Sequence, residues 1–175
     1  LMGDGAYFDY EQPDKAPVTI EDVAYGLAYT ARFRGQTRSF ARGGKRCFYS
    51  VAQHCVLMAE ALETDRHGRE AALAGLMHEL GEAPCGDMPS PLKLICPEFR
   101  TIEKRCEAAL LRLFDIEMSE PELIKRYDLR MLATEKRDLM PQSGSDSWSL
   151  TEGYAPFPWT IVPYLNPDDA AEEFL

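Results

Sequence analysis

The chain has 175 residues, 45% of them apolar and 27% charged, with a formal net charge of −10 at pH 7. These values describe one ordinary globular domain with a real hydrophobic core. The acidity argues against a general binder of nucleic-acid polymers, and with no run of eighteen apolar residues no membrane-spanning helix is expected.

Residues 1–18 carry Tyr7, Phe8, Tyr10, Pro13 and Pro17 without periodicity and read as an irregular arm packed over the domain. Thr19, followed three residues later by Asp22, forms an acidic variant of a helix-start box. Ile20, Val23, Ala24, Leu27, Ala28 and Ala31 then recur along one apolar helix face. Residues 33–49 contain Gly35, Gly43 and Gly44 and are expected to be a loop, with room for a small hairpin. No acid occurs between Asp22 and Glu60, while Arg32, Arg34, Arg38, Arg42, Lys45 and Arg46 are all basic. In an acidic protein, such a segment is either a grip for a small anionic ligand or a solvated loop.

Ser50 and Gln53 make a second capping box, and Val51, His54, Cys55, Met58, Ala59 and Leu62 line the inward face of the helix they open. Residues 65–68 read as a polar turn with His67 exposed and inert. A third helix is predicted from about Arg69 to Gly81. Its run over 71–77 is apolar nearly all round, as expected of the central buried helix. At its end, residues three and four apart share a face, so His78, Glu79 and Glu82 project together, a start for a metal or acid/base site.

Gly81, Pro84 and Gly86 break that helix, and residues 87–93 form a rigid Pro-rich turn. Phe99 to Phe114 reads as a long amphipathic helix. Ser119 before Glu120-Pro121-Glu122 predicts a further start, with the helix running on through Leu139. Asp128 lies among its apolar residues, where a charge is costly unless it is paired or bound to metal. Glu135 and Asp138 are expected to pair with Lys136, Arg137 or solvent. Residues 141–167 form an irregular wrap with Trp148 and Trp159 as packing anchors, and a last short helix begins at Pro167. Strand signals are weak throughout, so the fold class is all-α.

Five cysteines (Cys47, Cys55, Cys85, Cys96 and Cys106) form no CxxC pair. They are expected as buried reduced thiols of a cytoplasmic protein rather than as disulfides or a zinc cluster. No signal-peptide pattern is visible. The inward polar set is His54, His78, Glu79 and Asp128, with Glu82 and Asp87 nearby. Two imidazoles and two carboxylates on three helices are a divalent-metal donor set.

The order of these residues, with Ser50-Val51-Ala52-Gln53-His54 and Gly86-Asp87-Met88-Pro89-Ser90-Pro91-Leu92-Lys93, resembles the HD-domain phosphohydrolases. It is similar to the bacterial 5′-deoxynucleotidases and closer to prophage- and phage-encoded members, which include phage dATP triphosphohydrolases. Residues 19–24, 31–35, 48–50, 130–140 and the region of Trp159 look like family segments, so the resemblance covers nearly the whole chain.

The resemblance implies an HD-domain helical bundle in which His54, His78, Glu79 and Asp128 hold a divalent metal (Co, Mn, Zn or Mg). Glu82 would orient or activate the attacking water, and Asp87 would hold the sugar hydroxyl or the leaving-group side. Arg32 and Lys93 would neutralise phosphate charge, and Phe33 would help exclude a ribose 2′-hydroxyl. The substrate implied is a small deoxynucleotide, and the assembly a homo-oligomer.

Two departures stand out. Glu79 replaces the family's defining aspartate and reaches about a bond length farther. Gln36 stands where many relatives carry histidine, and residues 39–47 look like an insertion. Within this basic segment Arg38, Arg42, Lys45 and Arg46 could meet a polyphosphate, which tilts the expectation towards a triphosphate. The alternative reading is a degenerate nucleotide- or protein-binding module that lost its metal through Glu79.

Overall fold

The first helix, α1 (Ile20–Tyr29), begins with the predicted capping box: the Asp22 N–H donates to Thr19 Oγ1 at 3.1 Å, and the Thr19 N–H donates to Asp22 Oδ2 at 2.9 Å. The computed structural model describes residues 3, 5–141 and 148–175. The fold is all-α, with 60% of the described residues helical and 4% in strands. The basic segment folds as a small hairpin, β1 (Arg38–Ser39) antiparallel to β2 (Lys45–Arg46). The helices that follow are α2 (Val51–Thr64), α3 (Arg69–Met77), α4 (Glu82–Cys85), α5 (Ser90–Ile95), α6 (Pro97–Leu113), α7 (Pro121–Leu139) and α8 (Pro167–Phe174).

Helix α2, rather than α3, is the central element. Val51, Ala52, Cys55 and Val56 belong to a core shared with α1, α6 and α8, while Met58, Ala61 and Leu62 belong to a second core shared with α3 and α7. Each large apolar side chain so buried contributes about 1.5–3 kcal/mol. The apolar run of α3 has another purpose. Its Ala and Gly residues let its backbone approach α2 so closely that a Cβ at Gly75 would lie 2.4 Å from Leu62 Cδ1, while Leu73 on the far side is exposed. Small size, not centrality, explains that composition.

Several boundaries differ from expectation. Helix α3 stops at Met77, and residues 78–81 form a tight turn, with the Leu80 N–H donating to Met77 O and the Glu82 N–H to Glu79 O. Gly81 explains the turn's place, because a Cβ there would stand 3.0 Å from the Glu103 carbonyl on α6. The Pro-rich turn contains α5, and the following helix starts at Pro97 instead of Phe99. Ser119 does not cap α7; Glu120 takes that position with a left-handed backbone, φ 47°, and no side-chain cap. The Ser50 box is half made, with the hydroxyl accepting from the Gln53 N–H at 3.0 Å. The Gln53 amide instead bonds Val162 O and the Tyr164 N–H, tying the C-terminal wrap over α2.

Helix α7 holds the rest of that wrap through side chains. Thr134 Oγ1 accepts from the Phe157 N–H at 2.9 Å, Asp138 Oδ2 accepts from the Ile161 N–H at 2.8 Å, and Arg137 donates to Phe157 O. Irregular backbone must find such partners when buried. Trp159 stacks on Phe157 with centroids 5.1 Å apart. His67 is half-buried rather than inert: its Nε2 lies 2.9 Å from Tyr127 Oη, which also donates to Asp65, fastening the α2–α3 turn to α7.

Candidate metal centre

Three elements converge on one point. Helix α2 supplies His54, the turn after α3 supplies His78 and Glu79, and α7 supplies Asp128. One donor atom from each of these four residues lies within 4.8 Å of the others, a group that can hold a metal ion. His54 Nε2 is 3.2 Å from His78 Nε2 and 3.7 Å from Asp128 Oδ1, and His78 Nε2 is 3.5 Å from Glu79 Oε1.

The outer nitrogens of both rings decide which atoms face inward. His78 Nδ1 lies 2.7 Å from Gly75 O, and a carbonyl can only accept, so Nδ1 carries the hydrogen. His54 Nδ1 lies 2.7 Å from Glu135 Oε1. Burial opposes a charge on Glu135, but Arg32 and His54 outweigh it and hold this carboxyl below its ordinary value, so it too only accepts. Burial also lowers the pKa of both histidines, which favours their neutral forms. Each neutral ring therefore aims an Nε2 lone pair at the other across 3.2 Å. Two facing acceptors repel, and a buried acceptor without a donor costs about 1–3 kcal/mol. A cation between them removes that conflict, so the donor set fits a divalent metal with oxygen and imidazole ligands.

Arg32 is buried beside this cluster. The bridge between Ala31 and Ser50 places it, with the Arg32 N–H donating to Tyr49 O at 3.0 Å. Its Nη2 donates to Glu135 Oε2 at 3.0 Å and its Nη1 lies 3.8 Å from Glu79 Oε1. Glu135 was expected on solvent or its helix neighbours; it is instead fully buried, joining His54 to Arg32. A signal was present in the sequence: Asp128 and Glu135 are seven residues apart, two helical turns on one face. Asp138 does pair with Arg137, at 2.7 Å.

Glu82 is 3% exposed, with Oε1 2.8 Å from Lys93 Nζ and Oε2 buried without a hydrogen-bond partner among the described residues. Lys93 Nζ is also 2.8 Å from Glu103 Oε1, so this cation is held between two carboxylates. Burial pushes Glu79 up to about 8, with Asp128 adding to the rise, and Glu82 up to about 9, with Glu79 and Asp87 adding to it. Asp87 is half-buried and lines a neighbouring cavity.

Phe33 follows Arg32 with φ 52°, its ring 5.8 Å from that of Trp148 and 5.3 Å from the Arg32 guanidinium carbon. Arg38 donates to Gly44 O at 3.1 Å and Arg46 to Gln36 Oε1 at 3.3 Å. These side-chain bonds of Arg38 and Arg46 stay within the basic segment itself.

The chain is 36% identical to Uncharacterized protein YfdR of Escherichia coli (strain K12) over 174 residues, covering 98% of this chain and 88% of that protein. It belongs to the YfdR family. A second relative, an uncharacterized protein of Rhodobacter capsulatus, is 34% identical over 128 residues, which cover 71% of this chain and 62% of the relative. No family model matches the chain. Among the described residues, no helix is long and apolar enough to cross a membrane.

Proposed function

We propose that this protein is a divalent-metal-dependent phosphohydrolase of the HD-domain kind that acts on deoxynucleotides, as a 5′-deoxynucleotidase or a dNTP triphosphohydrolase. The observation that carries this reading is the pair of Nε2 atoms 3.2 Å apart, each ring committed through Nδ1 to an outer partner, with Glu79 and Asp128 beside them. Such outer partners orient ligating histidines and raise their basicity. His54, His78, Glu79 and Asp128 would hold the metal, with Co, Mn, Zn and Mg as candidates. When bound, it would supply Lewis acidity towards a phosphoryl oxygen and towards the attacking water.

The chain's own groups have distinct tasks in this reading. Lys93 fixes Glu82 Oε1; a divalent cation held beside it would draw the raised pKa of this carboxyl back down, and Oε2, which has no hydrogen-bond partner among the described residues, would then accept the water's proton. Arg32 acts on the substrate's negative charge from behind Glu79, since its amino groups are already engaged. Asp87 would accept from a sugar hydroxyl, and Phe33 would crowd a ribose 2′-hydroxyl.

The test pairs elemental analysis of the purified protein with deoxynucleoside release from dNMPs and dNTPs, the product common to both reactions, in added Mn²⁺, Co²⁺ or Mg²⁺. Bound metal with turnover of a deoxynucleotide is the expected result. A second reading draws on the 3.8 Å approach of Arg32 to Glu79, in which the guanidinium takes the place of a metal in a binding module. Absence of metal and of turnover under every condition would favour that module.

A further inference from the structure

A phosphohydrolase must also hold the part of its substrate that does not react. Resting on the reading above, we infer that the cavity next to the metal centre is the nucleoside subsite and that Arg34 grips the base within it. The cavity measures about 240 Å³ and is lined by Arg34, Cys85, Asp87, Met88, Leu92 and Phe99. Cys85 ends the short helix α4 that Glu82 opens, and Cys85 and Asp87 both belong to the cavity wall, so cavity and cluster adjoin.

The lining selects the occupant. A phosphate placed there would gain the Arg34 guanidinium but meet the Asp87 carboxylate and otherwise mostly apolar carbon. A planar base instead finds an aromatic ring, a thioether and an aliphatic side chain, and a guanidinium can stack on its face or bond acceptors on its edge. Asp87 remains for a sugar hydroxyl. The volume lies below the roughly 300–1,000 Å³ of pockets that enclose whole drug-sized ligands, which suits one moiety with its phosphates directed outward to the metal centre.

The cations divide accordingly. Arg32 lies between Glu135 and Glu79, Lys93 between Glu82 and Glu103, and Arg38 on the Gly44 carbonyl. Among the described residues, no side chain accepts from the Arg34 guanidinium, and Arg34 is exposed at the cavity. Its backbone is also unusual. Phe33, Arg34 and Gly35 have φ of 52°, 55° and 69°, three successive left-handed residues of which only the glycine adopts that form freely. Strain of this kind persists where the position of a side chain matters.

The decisive experiment is calorimetric titration of the metal-loaded protein with the four 2′-deoxynucleosides, which carry no phosphate, and separately with inorganic phosphate. Arg34→Gly is the variant of choice, because glycine keeps the left-handed turn. At least one deoxynucleoside should bind, and Arg34→Gly should weaken it tenfold or more while phosphate affinity stays within twofold and Tm is unchanged or raised. Phe99→Ala should weaken the same nucleoside. The inference is overturned if no deoxynucleoside binds, if Arg34→Gly weakens phosphate as much as nucleoside, or if Tm falls in that variant. Nucleoside binding that depends on Arg34, without deoxynucleoside release from any nucleotide, would uphold the subsite and overturn the hydrolase reading.

Discussion

Glu135 Oε1 lies 2.7 Å from His54 Nδ1, and both side chains are fully buried. The second oxygen of the same carboxylate accepts from Arg32 at 3.0 Å. One residue of α7 thereby sets the tautomer of a candidate ligand on α2 and neutralises the cation that stands behind Glu79.

Replacing Glu135 by glutamine should weaken metal binding 10–100-fold, as loss of an outer partner commonly does. It should also destabilise the fold by about 3–5 kcal/mol, because Arg32 loses its nearest buried counter-charge. Calorimetric titration with Mn²⁺ or Co²⁺, alongside chemical denaturation, reads both effects. Unchanged affinity would remove Glu135 from the support of the centre.

Glu82→Gln keeps the shape of the side chain and loses the base. Turnover should fall by about 10²–10⁴, the range for a positioned proton acceptor, while metal affinity stays within a few-fold. Retained deoxynucleoside release would rule out the role assigned to Oε2.

Gly75→Ala tests the close approach of α3 to α2. The added Cβ meets Leu62 Cδ1 at 2.4 Å, so Leu62 must change rotamer within a packed core. Overpacking costs about 1–3 kcal/mol, partly offset by about 1 kcal/mol of helix propensity. A net loss of about 0–2 kcal/mol in urea denaturation is expected, with a larger loss for Gly75→Val.

Asp22 offers a pH test remote from the site. Burial pushes its carboxyl up, but hydrogen bonds from the Thr19 N–H, the Thr19 hydroxyl and the Gly3 N–H outweigh it and lower the pKa. A depressed folded pKa gives stability that is present in full above the unfolded value of about 4 and is lost as pH falls through the folded value. Asp22→Asn should therefore lower Tm at pH 7, and its difference from the natural protein should shrink as the pH is lowered from about 4 towards 2. A difference that persists unchanged across that range would show that the carboxylate charge contributes nothing.

Much of the molecule was legible in local pattern. The capping box at Thr19 and the inward line of α2 follow from helical spacing, which the chain carries within a few residues. Failures had physical causes as well. The length of α3 depended on Gly81 meeting the Glu103 carbonyl, a contact between residues far apart in the chain. Lys93, which the resemblance implies as a phosphate partner, is held instead between Glu82 and Glu103.

By itself, the sequence determined the helices, their apolar faces and the residue types available for a metal centre, since periodicity and capping are local properties. Only the tertiary structure decided that α2 is the central helix, that Glu135 orients His54 from 81 positions away, and that Arg34 stands over a cavity while Arg32 is enclosed. Those outcomes depend on how helices turn and pack against one another. A repeat of three or four residues says which face is buried, but not which side chain on another helix it will meet.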